Sequence, residues 1–268
     1  MSYVDIAPWR LLVVFALLGS ALFVSWWAKL DLGKDLVVGA VRGAAQLLAV
    51  GYLLLVLFRN QRPEWVFLVL AVMLGVAAWT SARRVESGPG ARVLVPRALA
   101  AIAVGSAIAL VPVFVFVVSP TPWFEARYII PISGMIVANA MNVVAQVNER
   151  MFATARAERA EIEQWLALGA SPKQAVARHV RTALRAALIP TINGLLTVGL
   201  VALPGMMTGQ IVSGTAPEHA IRYQIVVMLM VAAATALGSL VALLLTYHRR
   251  FTADGTFLEK GFRRESGA

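Results

Sequence analysis

The chain alternates long apolar runs with short polar ones. Seven of those runs approach or exceed the roughly 20 residues that a helix needs to cross a hydrocarbon core. They fall at about 9–28, 35–58, 64–82, 96–118, 128–148, 184–206 and 223–247. The longest polar stretch, 149–184, lies between the fifth and the sixth. Alanine, arginine and glutamate dominate from Asn148 to Leu168, all good helix formers, so the fifth span is expected to leave the membrane as one continuous rod. Gly169 stands where a glycine cap ends a helix. Ser171 then fits an N-cap, Pro172 the first helical position, and Gln174 the third member of a capping box. These signals predict a helix, a sharp turn, a short second helix and a return to the bilayer near Arg185. An unstructured loop is the alternative.

Composition agrees with the pattern. With 59% hydrophobic residues, 14% charged residues and a mean hydropathy of +0.75, the chain reads as an integral membrane protein. The predicted fold is all-α: a polytopic transmembrane helical bundle forming one domain over 1–268. The net charge of +10 would suggest nucleic acid in a soluble protein. In a membrane protein it reflects the gathering of Lys and Arg on the cytoplasmic side. Eighteen of the cations fall in one set of alternate loops and five in the other, with Arg42 inside a span. That bias predicts an outside N-terminus and a cytoplasmic C-terminus. It also places 149–184 and the basic tail 248–268, with Arg249, Arg250, Lys260, Arg263 and Arg264, in the cytoplasm. The first apolar run lacks a basic lead-in and a small-residue cleavage site, and is read as a retained span. The absence of cysteine excludes disulfides and thiolate chemistry.

Several spans carry polar residues. Arg42 and Gln46, four apart, share a face of the second span; arginine there faces protein or water, or snorkels to nearby headgroups. Gly39 and Gly43 form a G-x-x-x-G. Met135, Asn139, Asn142 and Gln146 recur at spacings of four, three and four, which makes one stripe. Its amides line either a helix seam or a pathway, because they cannot face lipid. Asn193 and Thr197 share a face of the sixth span, which is expected to break or kink at 203–210, where a proline and two glycines cluster. Met206 and Met207 in that block are packing residues or soft metal ligands. Gln224, Met228, Thr235 and Ser239 repeat the theme in the seventh span.

No Asp or Glu lies deep in any span, which disfavours proton coupling, and no phosphate-binding loop is present. Active transport would therefore draw on a separate soluble subunit, with the polar loop as its docking point. A passive channel or facilitator needs no such partner. A membrane enzyme or assembly scaffold has little support, since no nucleophile–base or metal-ligand cluster stands in the spans.

The segment EIEQWLALGASPKQA (161–175) is similar to the coupling loop of ABC-transporter permeases, although Gln164 and Trp165 replace that pattern's alanines. More extensively, RGAAQLLAVGY, IIPISGMIVANAMN, ALIPTINGLLTVGLVALPGMMTGQI and RYQIVVMLMVAAATALGS resemble the FetB-type permeases, bacterial membrane subunits of an ABC system linked to iron export. Plant relatives are linked to aluminium tolerance. The resemblance implies a non-catalytic permease of the bacterial inner membrane, assembled as a homodimer with a FetA-type ATPase. ATP and magnesium would be held by that ATPase, and this chain would bind no cofactor. ATPase contact would fall on Glu161, Glu163, Leu168, Gly169, Ala170, Ser171, Pro172, Lys173 and Gln174, with 171–178 as the coupling helix. The pathway would use Arg42, Gln46, Met135, Asn139, Asn142, Gln146, Asn193, Thr197, Met206 and Met207, the two methionines being the metal ligands.

Overall fold

A computed structural model describes residues 10–60 and 62–247. The basic tail lies outside the described residues. Those residues form nine α-helices: α1 (Arg10–Trp27), α2 (Gly33–Asn60), α3 (Pro63–Arg83), α4 (Ala91–Val113), α5 (Ala126–Ala157), α6 (Arg159–Ala167), α7 (Pro172–Thr197), α8 (Gly205–Val212) and α9 (Pro217–Tyr247). A π-helical turn, Phe114–Val118, extends α4. The all-helical expectation holds. Among the described residues, five helical segments are long and apolar enough to cross a membrane: Gly33–Arg59, Pro63–Arg83, Ala91–Val118, Ala126–Ala157 and Pro217–Thr246.

The chain divides into two compact units. In the first, α1 and α2 meet through a tight turn in which Lys29 and Asp31 take left-handed φ values of 51° and 53°. The Leu32 amide donates to Ser25 Oγ at 3.2 Å and closes that turn. Arg42 and Gln46 stand on α2, within this unit.

In the second unit α5 packs against α3, α4, α7 and α9. Its buried face is built largely from small and β-branched residues: Val137, Ala140, Val143, Val144 and Val147 are all among the least exposed side chains. Small residues let helices approach closely, which drives packing in lipid, where the hydrophobic effect does not hold helices together. The tightest crossing joins α4 to α9. A Cβ added at Gly105 would stand 2.7 Å from the Gly238 Cα and 2.8 Å from the Ala234 carbonyl oxygen. Thr235 and Ser239 bond back to their own helix, Thr235 to the Val231 carbonyl at 2.8 Å and Ser239 to that of Ala236 at 2.9 Å. Both are fully buried, so these two hydroxyls of the seventh apolar run serve packing.

Two segments differ from the sequence expectation. The rod expected from Asn148 to Leu168 is broken at Glu158 (φ −106°, ψ 29°), where α5 gives way to α6. The change of direction carries Ile162 into the core beside Ala175 and Val176 of α7, and burying that side chain contributes roughly 1.5–3 kcal/mol. The sixth apolar run is likewise not one helix. α7 stops at Thr197, six residues before the expected break, and the GMMTGQ block is itself helical in α8. Gly199 takes a φ of 80°, a conformation glycine adopts without steric penalty, and Pro204 precedes the restart. The turn between them satisfies much of its own backbone. Leu200 and Val201 donate to the Thr197 carbonyl, and Gly199 donates to that of Ala202. The second helix after the elbow is also not short, because 172–197 runs as one helix.

Candidate functional site

The amide stripe of α5 opens onto a cavity of about 400 Å³. Met135, Asn139, Asn142 and Gln146 form one wall, Thr191 and Gly194 of α7 another, and Gln224 and Met228 of α9 a third. The turn after α7 closes part of the rim through Val198 and Pro204. The broken segment between α7 and α8 thus lines the cavity with irregular backbone.

The polar side chains of this cavity are neutral: the amides of Asn139, Asn142, Gln146 and Gln224 and the Thr191 hydroxyl. Asn139 Nδ2 donates to the Met135 carbonyl at 2.8 Å, and Asn142 Oδ1 accepts from Arg84 Nη1 at 2.8 Å. Gln224 Oε1 is buried without a hydrogen-bond partner among the described residues. An orphaned buried acceptor costs about 1–3 kcal/mol, which a ligand or water in the cavity would offset. No carboxylate stands among the described lining residues. Asn193 and Thr197 lie outside the lining, and Thr197 Oγ1 donates to the Asn193 carbonyl at 2.8 Å. Met206 packs against a core cluster of α4, α5 and α9 that includes Ile136 and Met230, and Met207 is itself buried. Neither methionine lines the cavity.

Beyond Gln146, α5 is pinned to its neighbours. Glu149 accepts from the Ser87 amide at 3.0 Å and the Ser87 hydroxyl at 2.6 Å, while Arg156 Nη2 donates to the Ser87 carbonyl at 3.1 Å. On the α9 side, Thr246 Oγ1 donates to Asn148 Oδ1 at 3.1 Å in a buried contact. These bonds hold α5 to the α3–α4 connection and to the end of α9.

The elbow follows, and its local chemistry matches the sequence signals closely. α6 ends in a Schellman motif: the Ala170 amide donates to the Trp165 carbonyl and the Gly169 amide to that of Leu166, both at 3.0 Å. Gly169 takes the left-handed φ of 86° that this motif requires. Ser171 caps α7 by accepting from the Gln174 amide, and its own amide donates to Gln174 Oε1 at 2.8 Å. Pro172 opens the helix. Glu161 pairs with Arg178 at 3.3 Å and Glu163 with Arg159 at 2.6 Å. Leu168 and Trp165 are exposed at 81% and 51%, unusual for large apolar side chains on a polar segment. Trp165 also borders an open groove shared with Glu161, Gln174, Arg178 and Arg181. Ala170 and Lys173 complete the elbow surface.

Sequence reasoning found the α5 stripe, Gln224, Met228 and the elbow caps. It missed the Arg84–Asn142 bond and the Glu149–Ser87 staple, because partners 58 and 62 residues apart leave no local signal. It also missed Thr191 and Gly194, which carry no periodic polar pattern of their own.

A helical membrane protein with a polar cavity walled by three helices, one of which begins at an exposed elbow, is the class that fold and site define. The chain belongs to the family described as "Uncharacterised protein family (UPF0014)", whose model matches residues 8–251. It is 37% identical over 238 residues to the UPF0014 membrane protein slr1647 of Synechocystis, covering 89% of this chain and 91% of that protein. It is 36% identical over 233 residues to the probable iron export permease protein FetB of Escherichia coli, covering 87% and 88%. The protein ALUMINUM SENSITIVE 3 of Arabidopsis thaliana is 33% identical over 247 residues, covering 92% and 87%. No solved structure matches the chain.

Proposed function

We propose that this chain is the membrane permease of an ATP-driven transporter that exports iron or a related metal species, with ATP hydrolysed by a separate soluble subunit docked at the elbow. The observation that carries the reading is that α7 joins the elbow to the cavity directly and α5 joins it through α6. From Gln146 to Glu158 the helix rise gives about 18 Å, and from Ser171 to Thr191 about 30 Å. A push on the elbow is therefore delivered directly along α7, and through α6 along α5, to two walls of the cavity, which is what rigid-body alternation of access requires. The FetB relative, by its printed name, supports the cargo.

In this reading the chain crosses the bacterial inner membrane seven times. α1 is the first span, and α7, the turn and α8 form a discontinuous sixth, as transporter helices do at substrate sites. The N-terminus is outside, the elbow is cytoplasmic, and two permeases assemble with two FetA-type ATPases, which hold ATP and magnesium. Glu161, Glu163, Leu168, Gly169, Ala170, Ser171, Pro172, Lys173 and Gln174 form the docking surface, with Trp165 added by its exposure. The neutral amides and Met135 pass a hydrated or complexed ion, since hard cations prefer oxygen ligands.

Two changes test the docking. Gly169→Pro removes the amide that donates to Leu166, and paired Glu161→Lys and Glu163→Lys substitutions reverse the elbow's acidic charge. Each is expected to abolish copurification of the ATPase and ATP-dependent metal flux into inside-out vesicles, while leaving the permease folded by circular dichroism. ATPase binding unchanged in both variants contradicts the placement. Equal flux with and without ATP favours a passive channel.

A further inference from the structure

We infer that His179, Glu158 and Glu161 form a binding site for a first-row divalent cation at the junction of α5, α6 and α7, separate from the cavity. His179 is 1% exposed, and neither of its ring nitrogens has a hydrogen-bond partner among the described residues. Its Nε2 nevertheless lies 2.7 Å from a Glu158 carboxylate oxygen. The two atoms stand at ion-pair distance without forming a hydrogen bond. That is how two ligands of one ion stand: both point at the metal and not at each other. At bond lengths of about 2.1 Å, adjacent ligands of an octahedral ion lie about 3.0 Å apart, and those of a tetrahedral ion about 3.4 Å. One ligand atom from each of Glu158, Glu161 and His179 lies within 4.8 Å of the others, so a small adjustment that widens the Glu158–His179 pair and draws Glu161 in completes the set.

The donors choose the ion. One imidazole and two carboxylates suit Zn²⁺, Fe²⁺ or Mn²⁺, and are too few and too nitrogen-rich for a calcium site, which takes six to eight oxygens. Glu158 is at the break between α5 and α6, Glu161 is in the first turn of α6, and His179 is two turns into α7. A bound cation would therefore tie the two arms of the elbow together. Arg178 now holds Glu161 at 3.3 Å but is 77% exposed, free to swing away as the ion enters. On the reading of the elbow as the ATPase contact, the site senses the metal on the docking side and stiffens the coupling. Binding itself does not depend on that reading.

The test uses the full chain, purified alone in detergent and titrated with Zn²⁺ and with Mn²⁺ by calorimetry. Wild type is expected to bind one equivalent that Glu158→Gln and His179→Gln each lose or bind at least tenfold more weakly. Retention of Asn139→Leu binding at wild-type stoichiometry separates this equivalent from any cation held in the cavity. His179 is buried and its variant can fail to fold, but Glu158 is half-exposed, so the Glu158→Gln titration decides alone. Wild-type binding in Glu158→Gln, or no binding by the wild-type chain, overturns the site. A wild-type chain that binds the metal but copurifies no ATPase would fault the proposed function and leave the site standing.

Discussion

Gly105→Ala is expected to destabilise the protein by about 1–3 kcal/mol, and Gly105→Leu to prevent its assembly. The added methyl would stand 2.7 Å from both the Gly238 amide nitrogen and its Cα, and 2.8 Å from the Ala234 carbonyl oxygen. All three are backbone atoms of α9, which cannot rotate aside as a side chain can. Relief therefore requires α4 and α9 to move apart along a crossing where Ala101, Ile102 and Ala234 are all fully buried. Gly75→Ala is the control, since nothing lies within 4 Å of a Cβ there and alanine is the better helix former by about 1 kcal/mol. Thermal unfolding in detergent should show a lowered midpoint for Gly105→Ala and an unchanged or raised one for Gly75→Ala.

Asn142→Leu is expected to reduce ATP-dependent metal flux at least tenfold while leaving the fold intact. Asn142 is the one member of the α5 stripe tied to a charged group, through Arg84 Nη1 at 2.8 Å. Leucine keeps the branched outline, removes that acceptor and puts a bulkier apolar surface into the cavity. A passing ion then loses a polar contact worth about 1.5–3 kcal/mol for a charge-assisted bond. Asn142→Asp, which still accepts from Arg84, is expected to keep more flux than Asn142→Leu. Initial rates in inside-out vesicles measure both. Equal rates for the leucine variant and wild type would remove the cavity from the transport path.

What the sequence made legible was whatever local physics determines. Ser171, Pro172 and Gln174 signal a helix start because capping is settled within four residues, and the capping box stands as expected. The 4-3-4 spacing of Met135, Asn139, Asn142 and Gln146 gave the cavity wall because helical periodicity alone puts them on one face. The break at Glu158 left no such mark: α5 bends there to bury Ile162 against α7, a tertiary gain that overrides good local helix propensity. The end of α7 at Thr197 was misplaced for a related reason. Pro204 and Gly205 are the stronger breakers by composition, yet the chain turns at Gly199, which holds the left-handed conformation, and then restarts at Gly205. Met206, which the sequence leaves as either a packing residue or a soft ligand, packs against the cluster that holds Met230.

Coupling between elbow and cavity is the claim on which the rest depends, and the absence of cysteine makes it directly measurable. A single Asn139→Cys is placed in the chain, inside-out vesicles are prepared with the ATPase present, and the rate of modification by a membrane-impermeant thiol reagent is followed. The rate is expected to change at least fivefold when ATP and vanadate trap the ATPase, and to stop changing when Gly169→Pro is added. A rate at Asn139→Cys that is the same with and without trapped nucleotide would contradict the account.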